Sequence, residues 1–97
     1  MLSILIPTYN FDCSKLVEEL NNQCTKANIT FEIVVGNDGS TSNLDKLRSL
    51  QNSLENFRLL DFKENRGRSA IRNILINESK YDRLLFIDSD MLICKED

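Results

Sequence analysis

Residues 31–40 read FEIVVGNDGS, a short and almost entirely apolar run that ends in a polar turn. Strands of this composition are typical of parallel sheets, because such strands are covered on both faces. Three other runs have the same form, so we predict four strands, at residues 2–6, 31–35, 57–62 and 83–87. The polar residues after each run mark the point where the strand leaves the sheet.

Helical patterns fill the intervals between these strands. In each interval apolar residues recur at spacings of three and four, which gives every helix one apolar stripe. The three stripes consist of Cys13, Leu16, Val17, Leu20 and Cys24, of Leu44, Leu47, Leu50 and Leu54, and of Ala70, Ile71, Ile74 and Leu75. The resulting order, β-α-β-α-β-α-β, predicts an α/β domain with an open parallel sheet and right-handed crossovers.

The composition fits one small globular domain and argues against several functions. The chain has 97 residues, 41% of them apolar, and a formal net charge of −3. This charge argues against nucleic acid as a partner, because binding to a phosphate backbone depends on clustered lysine and arginine. No apolar run approaches about 18 residues, so we expect no transmembrane segment in this chain. The sequence lacks histidine, which removes a histidine-based catalytic triad.

Three cysteines lie far apart in the sequence, at Cys13, Cys24 and Cys94. Their odd number argues against a disulfide framework, and the lack of a CxxC pair argues against a zinc finger. We interpret them as small apolar residues of a protein in a reducing compartment. We therefore expect a cytoplasmic location, which includes the inner face of the membrane.

Polar side chains follow the predicted strands at their carboxyl ends, where open α/β sheets bind their ligands. These side chains are Pro7, Thr8 and Tyr9 after the first strand, Asp38 after the second, and Asp88 and Asp90 after the fourth. Ordinary turns would not need carboxylates at several of these ends. The sequence therefore predicts a binding site at this edge of the sheet.

Asp88 and Asp90 are the most informative pair. Residues two apart on an extended chain project to the same side, and two carboxylates held that close repel each other unless a cation lies near them. Mg²⁺ in proteins typically takes one or two carboxylates together with substrate phosphates. The pair therefore indicates a metal–diphosphate site, and the alternative is a solvated acidic turn.

Asp38 and Arg72 are further candidates, each with a structural alternative. The Asp38 carboxylate can accept a hydrogen bond from a nucleotide base or a ribose hydroxyl, or it can serve an Asx turn or a helix cap. Arg72 lies about one turn into the third predicted helix, from where it can reach a base carbonyl or a phosphate, and its structural alternative is a place on a solvated basic face. For Arg66 and Arg68 we prefer the solvated face.

Taken together, four segments resemble the nucleotide-binding half of the family 2 glycosyltransferases, which have the GT-A fold. They are SILIPTYN at 3–10, EIVVGNDGST at 32–41, NRG at 65–67 with RN at 72–73, and LLFIDSD at 84–90. Each is short, but the four occur in the family's order and spacing. The resemblance covers essentially the whole chain, so we expect residues 1–97 to form a single nucleotide-sugar-binding subdomain of a longer glycosyltransferase.

The resemblance implies roles for individual residues. It implies that Pro7, Thr8 and Tyr9 line the nucleotide pocket. It also implies that Asp38 contacts the base and that Arg72 contacts the base or the diphosphate. Asp88 and Asp90 are expected to bind Mg²⁺ or Mn²⁺ on the diphosphate of the sugar nucleotide. The family's catalytic base, an aspartate or glutamate that deprotonates the acceptor hydroxyl, is expected beyond Asp97, as is the acceptor site.

Two positions depart from the family pattern. Asn37 stands where the family usually has aspartate, which is expected to weaken or redirect one nucleotide contact. Ile71 stands where the family usually has alanine, which is a packing change.

The resemblance implies an inverting, metal-assisted transfer of a sugar from a nucleotide-diphosphate sugar, with uridine as the expected nucleoside. The acceptor would be a saccharide or a lipid-linked glycan in polysaccharide biosynthesis. For this chain alone we expect nucleotide binding without efficient transfer. The alternatives are a non-catalytic binding or assembly module of the same fold and, with less support, a haloacid-dehalogenase-type phosphatase. An exposed edge at the fourth strand could promote pairing between two chains, so the sequence does not fix the oligomeric state.

Overall fold

The computed structural model describes residues 1–40 and 44–89. Four strands alternate with three helices. They are β1 (Leu2–Thr8), α1 (Ser14–Lys26), β2 (Phe31–Asp38), α2 (Asp45–Ser53), β3 (Phe57–Phe62), α3 (Arg68–Glu78) and β4 (Arg83–Phe86). All strand pairs are parallel, and the strand order is β3-β2-β1-β4. The predicted open parallel sheet is confirmed, and its strand order reverses between β1 and β4, where ligands of such sheets bind.

The helices cover both faces of the sheet. The stripes of α1 and α2 pack with β1, β2 and β3 in one large core cluster that includes Val17, Leu47 and Ile33. On the other face, Ile71 and Leu75 of α3 pack against β1 and β2. All eight residues of β2 are buried, including the polar Glu32, Asn37 and Asp38, as expected for an inner strand that is covered on both faces.

The strand β1 continues through Pro7, although proline cannot donate a hydrogen bond to a sheet. The carbonyl of Leu5 accepts a hydrogen bond from the backbone N–H of Ile87, so the backbone of Leu5 faces β4. Pro7 lies two residues further and its nitrogen faces the same side, beyond Phe86, the last residue of β4. The missing donor therefore interrupts no strand pairing.

The prediction that the strands are buried on both faces was wrong for β3, where Arg58 and Asp61 are exposed, and for β4. Leu84 and Leu85 point to opposite faces and are 39% and 44% exposed. This strand pairs with β1 on one side, and no other strand of the described chain borders its second side. An edge strand therefore has the apolar composition of an inner one.

The two cysteines that the structure describes are free and buried, in agreement with their interpretation as apolar core residues. Burial raises the pKa of the Cys13 thiol to about 12, so the thiol is protonated at neutral pH. Cys94 lies outside the described residues. Among the residues described, none of the helices combines the length and apolar character needed to cross a bilayer.

Candidate nucleotide site

A cavity of about 550 Å³ lies at the carboxyl ends of the strands. Its walls come from the loop after β1, the end of β2, the start of α3 and the residues after β4. The lining residues are Pro7, Thr8, Tyr9, Phe11, Asp38, Asn65, Gly67, Arg68, Ile71, Asp88 and Ser89. Five residues predicted for the nucleotide site, Pro7, Thr8, Tyr9, Asp38 and Asp88, therefore meet in one cavity.

Asp38 connects the end of β2 to the beginning of α3. Its carboxylate accepts hydrogen bonds from the backbone N–H groups of Arg66, at 2.6 Å, and of Gly67, at 3.1 Å. Asn65 donates its side-chain amide to the Asp38 carbonyl at 3.2 Å. These bonds hold the backbone just before α3 across 28 residues of sequence, and they differ from a helix cap because Arg66 and Gly67 precede the first turn of the helix. Each carboxylate oxygen keeps a second lone pair, so Asp38 still has acceptor capacity toward the cavity.

Two glycines make this arrangement possible. A Cβ atom on Gly39 would lie 2.5 Å from the backbone nitrogen of Asn65, so these two segments approach too closely for any side chain. Gly67 has φ 94° and ψ 155°, a conformation that is essentially limited to glycine. Glycine at these two positions therefore lets the loop before α3 come close enough to the end of β2 to bind the Asp38 carboxylate.

The loop after β1 forms an aromatic wall of the cavity. Tyr9 and Phe11 line it and are 52% and 43% exposed. The Thr8 hydroxyl donates to the carbonyl of Phe11 at 2.8 Å, and the backbone N–H of Asn10 donates to the Ser40 hydroxyl at 2.8 Å. Asn10 has a φ of 52°, a left-handed conformation that asparagine tolerates better than most residues. These bonds hold the two aromatic rings at the cavity.

A cation and a carboxylate face each other on another wall. Arg68, the first residue of α3, lies 3.2 Å from the carboxylate of Asp88 in an exposed ion pair. Both side chains line the cavity, so the cavity carries a positive as well as a negative group. Arg68 also lies at a helix N-terminus, where anions are favoured.

Arg72 does not line the cavity. Its guanidinium stacks over the ring of Phe86 at 4.1 Å from the centroid, one helical turn beyond Arg68. Arg66 stacks in the same way over Phe62, at 4.9 Å. Of the three arginines, Arg68 is the one that contributes to the cavity wall, although the sequence favoured Arg72.

Six lining residues were not predicted from the sequence, namely Phe11, Asn65, Gly67, Arg68, Ile71 and Ser89. Asn65 and Gly67 carried a signal, since both belong to the NRG segment at the entry to α3. Arg68 could have been found from its place at the first position of that helix, next to the anion-favouring terminus.

Asn37 directly precedes Asp38, which lines the cavity, and is 1% exposed. Its side-chain amide donates to the carboxylate of Asp61 at 2.6 Å, and Arg48 donates to the same carboxylate at 2.6 Å. The bond from Arg48, together with the bond from Asn37, holds the pKa of Asp61 below its ordinary value, and burial partly opposes that shift. Asn37 is not among the lining residues, so a redirected nucleotide contact through its side chain finds no support in this geometry.

The predicted metal ligands are described in part. Asp88 lines the cavity with a carboxylate that is 65% exposed, whereas Asp90 lies outside the described residues. Within residues 1–40 and 44–89 no group of three or more potential metal ligands occurs. One exposed carboxylate beside a cavity fits the sparse protein ligation of Mg²⁺, which relies on substrate phosphates and water for its other ligands.

The catalytic base stays a prediction. It is expected beyond Asp97, and Asp97 itself lies outside the described residues. The cavity therefore supplies groups that can bind and orient a donor, and none of the residues in its described walls is assigned as the base.

Comparisons with known proteins match this geometry to a family. The family model for glycosyl transferase family 2 matches residues 3–97. A teichoic acid poly(glycerol phosphate) polymerase of Staphylococcus epidermidis is 30% identical over 93 residues, which are 92% of this chain and 12% of that protein. A poly-β-1,6-N-acetyl-D-glucosamine synthase of Staphylococcus aureus is 27% identical over 95% of this chain and 22% of its own length.

The fold matches solved structures as well. The crystal structure of S. aureus TarS in complex with UDP-GlcNAc superimposes with a TM-score of 0.74 and 30% identity, covering 92% of this chain and 26% of that one. The chain thus spans a small part of the relatives it matches. The family match favours the transferase prediction over the phosphatase alternative. Because the family model covers all but the first two residues, and the sheet has the GT-A arrangement, the chain belongs to the family 2 glycosyltransferases.

Proposed function

We propose that this chain binds the donor of a glycosyltransferase reaction, a uridine-diphosphate sugar, in the cavity at the carboxyl ends of its strands. The observation that carries the proposal is the convergence of Asp38, Arg68 and Asp88 with the aromatic wall in that one cavity. A relative of the same family, TarS, has been crystallised with UDP-GlcNAc.

The base and ribose would occupy the side of the cavity formed by Asp38, Tyr9 and Phe11. Asp38 is held by two backbone donors and is 6% exposed, so its remaining lone pairs have fixed directions. A fixed acceptor discriminates in favour of ligands with an N–H or O–H at the matching position. Uracil carries an imide N–H, and ribose carries hydroxyl groups. The half-exposed rings offer faces on which a planar base can stack.

The diphosphate would lie near Arg68 and Asp88. Arg68 supplies a positive charge that phosphate oxygens can share, and its ion pair with Asp88 is exposed and therefore readily exchanged. Asp88, together with Asp90, would hold Mg²⁺ or Mn²⁺. Such an ion supplies charge neutralisation of the leaving diphosphate.

In the transfer that we propose, an acceptor hydroxyl of a saccharide or lipid-linked glycan attacks the anomeric carbon from the side opposite the diphosphate. The new carbon–oxygen bond forms as the bond to the phosphate oxygen breaks, the hydroxyl proton passes to a base, and the configuration is inverted. The residues of this chain bind and orient the donor for that step. The free cysteines support a reducing, cytoplasmic setting for it.

Calorimetric titration tests the proposal. UDP is titrated into the chain with and without Mn²⁺, and uridine is titrated as a ligand that lacks phosphates. We expect binding of UDP that is strengthened by Mn²⁺ and weaker binding of uridine. Asp88→Ala and Asp90→Ala should remove the effect of Mn²⁺, whereas Asp82→Ala, an exposed carboxylate before β4, should leave it unchanged. Failure of the native chain to bind UDP under both conditions would refute the proposal.

A second measurement separates donor binding from transfer. Release of free sugar from UDP-GlcNAc is followed with the same protein. We expect binding of UDP without efficient release of sugar, and rapid turnover by this chain would contradict that expectation.

A further inference from the structure

We propose that Asn37 is a positioning residue for the nucleotide site, which it sets through a hydrogen-bond chain that runs from α2 to the loop after β1 and has the buried Asn37 side chain at its centre. The inference rests on the proposed donor-binding function, because it concerns the same cavity. It goes beyond that function because Asn37 touches no part of the cavity.

The side chain of Asn37 uses both ends of its amide. Its NH₂ group donates to the Asp61 carboxylate at 2.6 Å. Its carbonyl oxygen accepts from the backbone N–H of Ser40 at 3.2 Å and also from the Ser40 hydroxyl. The chain is continuous at this point, and the residue is almost completely buried. An amide is suited to this place because it donates in one direction and accepts in the other.

On the helix side, the chain ends in charged groups. The carboxylate of Asp61 accepts the Nε–H of Arg48 at 2.6 Å, and Arg48 also contacts Asp45 at 3.4 Å. Arg48 and Asp45 belong to α2, and Asp61 belongs to β3. The strand register places Asn37 directly opposite Asp61, so the contact is fixed by the pairing of β2 with β3.

On the cavity side, the chain ends in the aromatic wall. The Ser40 hydroxyl accepts the backbone N–H of Asn10, which lies between Tyr9 and Phe11. Displacing Ser40 would therefore remove one hydrogen bond from the residue that lies between both rings. Asp38, which lines the cavity, follows Asn37 directly in the chain, so a shift of the Asn37 backbone would also move Asp38. Two walls of the cavity thus depend on the side chain of Asn37, which is not itself a lining residue.

Replacing the amide with a carboxylate tests the inference. In Asn37→Asp two carboxylates would stand within hydrogen-bond distance, and they would repel each other or share a proton. The facing charged groups are Asp61 on β3, and Arg48 with Asp45 on α2. We expect the affinity for UDP at pH 7.5 to fall about tenfold or more, because the buried side chain at position 37 loses its hydrogen bond to Asp61. Affinity relative to the native chain should recover as the pH is lowered toward 5.

A second substitution restores the pair with the roles exchanged. In Asn37→Asp with Asp61→Asn, the amide at position 61 donates to the carboxylate at position 37. We expect UDP affinity to return to within about threefold of the native value, and the pH dependence relative to the native chain to disappear. Asp61→Asn alone is the matched control, since it leaves the amide at position 37, places an amide at position 61 and introduces no second carboxylate.

Urea unfolding of the same four proteins makes the outcomes distinguishable. If the native chain does not bind UDP, the proposed function fails. The positioning role then fails as well, unless the affinity for uridine falls in Asn37→Asp and recovers in the double variant. If the native chain binds UDP and Asn37→Asp binds it equally well at every pH, the positioning role is overturned while the proposed function stands. A loss of stability in Asn37→Asp with no change in affinity of the folded protein would also overturn it.

Discussion

The backbone N–H of Gly67 donates a hydrogen bond of 3.1 Å to the carboxylate of Asp38, which lies 29 residues earlier in the chain. The neighbouring N–H of Arg66 donates to the other carboxylate oxygen at 2.6 Å. One side chain at the end of β2 therefore fixes the backbone just before α3 and also lines the cavity. This double use means that changes at Asp38 affect stability and ligand binding together.

We predict that Asp38→Asn destabilises the protein by about 1–3 kcal/mol, because an amide NH₂ would face a backbone donor at a buried position. The free energy of unfolding is measured by urea titration. Asp82→Asn serves as the control, since Asp82 is exposed and lies at the opposite end of the sheet. Equal stability of Asp38→Asn and the native chain would show that the backbone donors do not need the carboxylate.

Arg68 and Arg72 differ in their relation to the cavity, and this difference is testable. Arg68→Gln removes the positive group in the cavity wall, so we predict a loss of UDP affinity of about tenfold. Arg72→Gln removes a guanidinium that stacks on Phe86, and we predict a loss of less than about threefold. Calorimetry with UDP measures both. A larger effect at Arg72 would support the family-based assignment instead.

Gly36 limits the distance between β2 and α3. A Cβ atom there would lie 3.0 Å from Cγ2 of Ile71 and 3.3 Å from Cδ2 of Leu75. We predict that Gly36→Ala lowers the free energy of unfolding by about 1–3 kcal/mol through overpacking.

The cause can be isolated with a second variant. Ile71→Ala removes the Cγ2 atom that the new methyl group would contact. In the double variant Gly36→Ala with Ile71→Ala, the destabilisation should be smaller than the sum of the two single effects, as urea unfolding can show. Strict additivity would mean that the close contact is not the reason.

Glu32 joins three segments at the amino ends of the strands. Its carboxylate is buried and accepts from the Ser3 hydroxyl at 2.7 Å and from the backbone N–H of Lys80 at 2.5 Å, and Arg58 lies 3.6 Å away. We predict that Glu32→Gln costs about 1–3 kcal/mol in the free energy of unfolding, because at least one acceptor is replaced by a donor. Thermal or urea unfolding measures this, with the exposed Glu55→Gln as control. A variant as stable as the control would contradict the prediction.

The pair of Arg48 and Asp61 predicts a dependence of stability on pH. The pKa of Asp61 is lowered in the folded state, chiefly by the hydrogen bond from Arg48. A lowered pKa contributes stability above the unfolded-state pKa of about 4, and that contribution is lost as the pH falls through the folded value. The stability difference between the native chain and Asp61→Asn should therefore be largest near pH 6 and shrink toward pH 3.

Urea unfolding at the two pH values measures this difference. The same comparison in an Arg48→Gln background should give a smaller difference at pH 6, because the principal donor to Asp61 is gone. If this stability difference did not depend on pH in the native background, the hydrogen bonds from Arg48 and Asn37 would not be lowering the pKa of Asp61.

Much of the fold could be predicted because it follows from local patterns. The apolar run at 31–35 predicted an inner strand, and β2 is buried along its whole length. An edge at the fourth strand was expected, but the exposure of Leu84 and Leu85 could not be predicted from their residue types, since both have the composition of a buried strand. Burial of a strand depends on its neighbours, which the run itself does not specify.

The sequence by itself determined the order of strands and helices and the edge of the sheet where the polar residues collect, because hydrophobic periodicity and turn residues act locally. It also singled out Tyr9, Asp38 and Asp88, which line one cavity in the structure. Only the tertiary structure decided which arginine reaches the cavity and that Asn37 faces Asp61. Those facts depend on strand register and on the placement of α3 against the sheet, which bring together residues that are distant along the chain.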